Sequence, residues 1–140
     1  MPFFFKCLAE SEHYKVESEH ETVRLRFKDH PNLAVTIGDF YGDPTCAMIS
    51  ANEKYVVMGG CGLIVYYLKP PFESYCYGRT NNQYKEFFRE ANNIWWIEAI
   101  YQSDIDNVDN DWSVFKFVVN GETGDKIYKM DVATGIISSA

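Results

Sequence analysis

KYVVMGGCGLIVYYL, residues 54–68, holds two apolar runs that meet across a glycine cluster. Residues 55–58 and 63–68 are rich in Val, Ile and Tyr, the composition of strands. Gly59, Gly60 and Gly62 supply the backbone freedom for a turn or bulge between them. A continuous apolar run, in place of alternation, implies burial on both faces, so this stretch is expected at the centre of the sheet structure.

The flanking segments read mostly as strands. Phe3 to Leu8 is expected as a first strand, and ETVRLRFK, residues 21–28, alternates with Val23, Leu25 and Phe27 on one face and Thr22, Arg24, Arg26 and Lys28 on the other. His30, Pro31 and Asn32 suggest the turn that returns the chain antiparallel through LAVTI, residues 33–37. Residues 45–50 form a short strand before the central stretch, and Pro70-Pro71 ends that stretch, because proline cannot donate to a ladder. Beyond residue 94, IWWIEAIYQ, WSVFKFVVN, KIYKMDV and GII are successive strands, the second and third joined through Asn120-Gly121, a strong hairpin signal.

One helix is expected, at about residues 81–92. Tyr84, Phe87, Phe88 and Ala91 fall at i, i+3, i+4 and i+7, Thr80 with Gln83 fits a capping box, and Asn92-Asn93 provides the stop. The fold class is therefore mainly β (α+β), an antiparallel meander in one or more sheets carrying one amphipathic helix. The strand rhythm of the amino half hints at blade-like units, although the halves do not align as a repeat. At 140 residues, one globular domain spanning 1–140 is expected.

The chain carries a net charge of -7, unevenly: residues 71–140 hold 11 acidic and 6 basic side chains, residues 1–70 hold 9 and 7. That field repels phosphate backbones and attracts basic partners, so no direct nucleic-acid binding is expected. The four cysteines show no CxxC pairing, the opening residues MPFFFKCLAE are not expected to act as a signal peptide, and no apolar run nears the roughly 18 residues that span a bilayer. A cytoplasmic protein with reduced thiols and no membrane segment is the expectation.

Three features invite chemistry. Gly59-Gly60-Cys61-Gly62 lacks the following helix of a phosphate cradle, and reads better as a tight strand connection with a small buried thiol. His13 and His20, in the glutamate-rich run 10–21, have no Cys or third His at ligand spacing, so neither metal nor cofactor is expected. Asp104, Asp106, Asp109 and Asp111 put four carboxylates into eight residues, without the glycine and terminal glutamate of an EF-hand. Turn-forming residues account for much of that cluster. Its remaining meaning is electrostatic: with Trp112 as an aromatic anchor, and with help from Glu17 and Glu19, it suits docking on a basic surface. Phe40 and Tyr41 read first as core anchors and second as a contact patch, and of the adjacent pair Trp95 and Trp96 one faces inward and one outward.

The segment EKYVVMGGCGLIVYYLKPPFE, in a small acidic chain with an aromatic-rich antiparallel carboxy-terminal half, resembles the immunity proteins of bacterial polymorphic-toxin systems, including contact-dependent growth inhibition. The resemblance implies a non-enzymatic inhibitor that binds a cognate toxin domain, often a nuclease, and blocks its basic active site. It carries over no contact residues. The alternative from the residues themselves is a small-ligand-binding or enzymatic domain with a cleft lined by Tyr66, Tyr67, Trp95 and Trp96.

Overall fold

The computed structural model describes residues 5–79, 81–90, 93–121 and 123–140. Among these residues every regular element is a strand, and no helix is long and apolar enough to cross a membrane.

Three four-stranded antiparallel meanders follow one another along the chain. The first runs β1 (Lys6–Glu10), β2 (Tyr14–Glu19), β3 (Thr22–Phe27) and β4 (His30–Asp39). The second is β5 (Cys46–Ile49), β6 (Tyr55–Gly60), β7 (Gly62–Tyr67) and β8 (Tyr84–Phe87). A two-stranded ribbon, β9 (Arg89–Glu90) with β10 (Asn93–Ile94), precedes the third meander. That meander is β11 (Ile97–Tyr101), β12 (Val114–Val119), β13 (Lys126–Asp131) and β14 (Ile137–Ser139). In each of the three meanders the strand order equals the chain order, and consecutive strands remain neighbours even across the longer connections β7–β8 and β11–β12.

The second sheet lies between the other two, as the unbroken apolar character of residues 54–68 requires. Val56, Met58, Ile64 and Tyr66 pack on Val16, Val23, Leu25 and Ile37 of the first sheet. Their neighbours Tyr55, Val57, Leu63 and Val65 turn to the opposite face and meet Ile97, Phe115, Phe117 and Met130 of the third sheet. Two cores thus share one central hairpin, β6 paired with β7. Cα atoms of β1 come within 8 Å of β5, and those of β11 within 8 Å of β5 and β6. Stacked sheets ordinarily lie about 10 Å apart, so these sheets draw together where each meander begins.

The expected helix at 81–92 is not formed. Residues 84–87 are strand β8, paired with β7 from Tyr66↔Tyr84 to Leu63↔Phe87. The misleading spacing has a simple cause: in a strand, i and i+3 face opposite sides, and both sides of this sheet are apolar. Tyr84 enters the first core and Phe87 the second. Phe88 then takes φ 59 and stacks on Trp95, with ring centroids 3.9 Å apart at 4°. Strand pairing along the open edge of β7 satisfies backbone groups that a helix would have left without partners. The Thr80 cap, Ala91 and the Asn92 stop lie outside the described residues, as does Phe3 of the first expected strand.

Other boundaries shift less. The β3–β4 turn is Lys28-Asp29, closed by Phe27↔His30, so His30 and Pro31 open the next strand. Pro31 is tolerated there because β4 is an edge strand of its sheet. The glutamate-rich run 10–21 contains β2, an inner strand.

Candidate functional site

The two ends of the central hairpin are built differently, and both reach the surface. At the open end, where β6 begins, side chains stitch the turn at 50–55 to the acidic loop at 102–113. Ser50 is buried, and its hydroxyl accepts the amides of Lys54 at 2.9 Å and Tyr55 at 3.1 Å. The Tyr55 hydroxyl donates to the Trp112 carbonyl, and burial pushes its pKa well up, keeping it a donor. Gln102 joins the turn to the loop: its carbonyl accepts the Ala51 amide at 2.9 Å, and its amide nitrogen reaches the Tyr55 hydroxyl at 3.0 Å and the Trp112 carbonyl at 2.8 Å.

Within the loop, Asn107 is the pivot. It is 2% exposed, donates to the carbonyls of Ser103 at 2.8 Å and Val114 at 3.0 Å, and accepts the Val114 amide at 3.0 Å. Asp106 folds inward as well. The Ser103 hydroxyl at 2.8 Å, with Lys116 at 3.2 Å, holds its carboxyl below the usual carboxylate range, and Lys129 lies at 3.9 Å. Asp111 bonds the amide and hydroxyl of Ser113, and Trp112 is half-buried at φ 55.

These contacts divide the expected site. Asp104 and Asp109 stand exposed without an ion pair among the described residues, and Asp111 is exposed at the loop base. Asp106 belongs to the fold. Between the free carboxylates, Ile105 and Val108 project with 86% and 79% of their surfaces open. Sequence reasoning passed over both, although two apolar residues inside a run of Asp and Asn have no periodicity that a core would use. Glu17 and Glu19 do not join this surface: they lie on β2 in the first sheet. Glu17 is buried, 2.8 Å from Arg26 and 3.7 Å from Lys15, while Glu19 lies 3.9 Å from Arg24.

At the closed end the glycines matter for contact. A Cβ on Gly59 would meet Ile97 at 2.7 Å, one on Gly60 would meet Pro44 at 3.2 Å, and one on Gly62 would meet Arg89 Cγ at 2.1 Å. Three separate segments therefore close on the glycines of this tip because these positions carry no side chains. Cys61 at the apex is buried, as a small structural thiol, and all four cysteines are free. Beside the tip runs a groove of about 670 Å³ lined by Tyr77, Glu86, Phe88, Arg89 and Glu90, among others. It continues through Tyr77 and Arg89 into a smaller depression of about 260 Å³ reaching Asp39, Phe40, Tyr41 and Cys61. Phe40 is buried beneath the Arg89 guanidinium at 4.7 Å, whereas Tyr41 is 79% exposed.

The four aromatics considered for a ligand cleft do not converge. Tyr66 lies in the first core and Trp95 packs against the second, while Trp96 is half-exposed and Tyr67 lies at another depression, beside Lys54 and Lys85. Among the described residues no three His, Cys, Asp or Glu side chains gather as a metal site requires. No protein-family model matches the chain, and no curated protein matches it.

Proposed function

We propose that this chain is a protein-binding module that neutralises a basic partner, an immunity protein whose 103–113 tip covers the active site of a toxin domain, with a nuclease as the target class. The observation that carries this reading is the tip itself: Ile105 and Val108, held out by a buried Asn107 and flanked by the free carboxylates of Asp104 and Asp109. A pre-ordered loop spends little conformational entropy on binding, apolar residues at its summit supply contact area, and the carboxylates steer approach. The net charge of -7 adds a long-range field of the same sign. Nuclease active sites are basic because they hold phosphates, so the same field that repels nucleic acid favours this inhibitor. Asp111 and Trp112 form the base of the tip in this reading, and no cofactor takes part.

The test is co-expression with the product of a toxin-bearing reading frame beside the gene for this chain. The chain should protect the host and co-purify with that product. Asp104→Asn with Asp109→Asn should slow association about tenfold at low salt and much less at high salt. Ile105→Ser with Val108→Ser should speed dissociation instead. Protection without binding, substrate turnover by the purified chain, or kinetics indifferent to all four substitutions would each defeat the reading.

A further inference from the structure

We propose that the groove beside the closed end of the central hairpin receives an arginine side chain from a basic polypeptide. The proposal rests on the reading of the chain as a binder of a basic partner, and adds a second contact at the opposite end of β6 from the acidic tip. Five strand steps, Tyr55 to Gly60, separate the two ends, on the order of 17 Å at the usual rise per residue.

The charges in the groove make the case. Three carboxylates, Asp39, Glu86 and Glu90, face one guanidinium, that of Arg89. Arg89 is already committed to the fold. Its Nε lies 3.0 Å from Glu86 Oε1, its Nη2 donates to the Asp39 carbonyl at 2.6 Å, and its side chain is only 12% exposed. The Nε contact lies off the N–H axis and Nη1 has no acceptor, so Arg89 is held by charge and packing more than by hydrogen bonds. Glu86 balances that charge and also accepts the Tyr75 hydroxyl. What stays open to solvent is different in kind. The side chains of Asp39 and Glu90 are on exposed residues and have no ion pair among the described residues, and Tyr41 and Tyr77 are 79% and 73% exposed.

A surface of uncompensated carboxylates and open phenol rings is complementary to a cation that is weakly hydrated, planar and able to stack. Arginine meets all three requirements better than lysine. Small anions are disfavoured by the same residues.

The probe is Nα-acetyl-arginine amide, titrated into the labelled chain and followed by amide chemical shifts, with the citrulline analogue as a neutral control of matching shape. Saturable shifts at Tyr41, Tyr77 and Gly78, with affinity on the order of millimolar, are expected for arginine and not for citrulline. Tyr41→Ala with Tyr77→Ala should weaken binding about fivefold or more; both rings are largely exposed, so the fold should survive. Equal shifts with citrulline, shifts centred on residues 104–111, or indifference to the double substitution would overturn the proposal. Asp104→Asn with Asp109→Asn should leave probe binding unchanged, so loss of toxin binding in that variant with an intact groove reports on the tip alone. Salt-dependent toxin association in a chain that does not take up arginine would refute the groove and leave the tip standing.

Discussion

At the start of β6 the turn at 50–55 is joined to the 102–113 loop by side-chain hydrogen bonds through Asn52, Tyr55 and Gln102, whereas at the Gly59–Gly62 end neighbouring segments press directly against the glycines, and the Gly62 amide donates to the Trp95 carbonyl at 2.8 Å. The first kind of junction fixes a loop in one conformation while leaving its outer residues free to vary. The second lets Pro44, Arg89 and Ile97 approach a single point, at the cost of forbidding side chains there. The polar end consequently presents a shaped protrusion and the glycine end a groove.

The largest expected effect comes from breaking the glycine end. In Gly62→Ala the new Cβ would lie 2.1 Å from Arg89 Cγ, 2.8 Å from the Phe87 carbonyl oxygen and 2.9 Å from that of Phe88, at φ +85. The arginine stem can swing aside, but two backbone oxygens cannot without disturbing β8 and the ribbon. A loss of roughly 3 kcal/mol or more is expected in denaturant unfolding. Gly59→Ala has ordinary φ and meets side chains only, Ile97 and Cys46, so roughly 1–3 kcal/mol is expected there. If the two variants were equally stable, close backbone approach at Gly62 would not be what organises this end.

Asn107→Ala tests the polar end with a smaller effect. It leaves the Ser103 carbonyl and the Val114 amide without their partner, while the Val114 carbonyl keeps Gln102 at 3.1 Å. A loss of about 2 kcal/mol follows from buried groups left unpaired. The sharper reading is local: amide exchange at residues 104–112 should accelerate far more than exchange in β6 and β7. Uniform acceleration would mean that Asn107 supports the whole core and not the tip.

How much of this was legible in the sequence depends on whether a residue's partner was near in the chain. The double burial of residues 54–68 follows from their own composition, and the last meander follows from its turns. Phe87 and Phe88 misled because an i, i+3, i+4 pattern on a helix resembles a strand with two apolar faces, and only the presence of sheets on both sides of β7 distinguishes them. The site was legible in charge and illegible in pairing. Asp106 looked free because Lys116 and Lys129 stand on strands that follow the loop. Glu17 looked free even though the basic face of β3 had been recognised; Arg24 and Arg26 lie beside it across the β2–β3 ladder. An acidic strand next to a basic one, joined by a two-residue turn, was sufficient to foresee that pairing.

The smallest effect expected is a pH dependence at the tie between the first sheet and the turn that opens β6. His13 Nδ1 lies 2.7 Å from Glu53 Oε1, and the other Glu53 oxygen accepts the Ser11 hydroxyl and the His13 amide, the latter at 3.0 Å. The hydrogen bond to Glu53 raises the His13 pKa above 6.5, with the carboxylates of Glu12 and Asp29 adding to it. Partial burial pushes the Glu53 carboxyl up, but the hydrogen bonds from Ser11 and His13 outweigh it and leave the pKa below 4.5. A histidine pKa raised on folding contributes stability that is complete below 6.5 and is lost as pH rises through the folded value. A carboxyl pKa lowered on folding contributes above 4.5 and is lost as pH falls through the folded value. The tie is therefore strongest between 4.5 and 6.5. Tm should decline as pH rises above 6.5, and His13→Asn should flatten that decline. The change should be modest because His13 is solvent-screened, and amide exchange in the 50–55 turn should follow it. A decline equally steep in His13→Asn would show that the His13 imidazole does not set this pH dependence, leaving the Ser11 hydroxyl and the His13 amide as the first sheet's hold on Glu53.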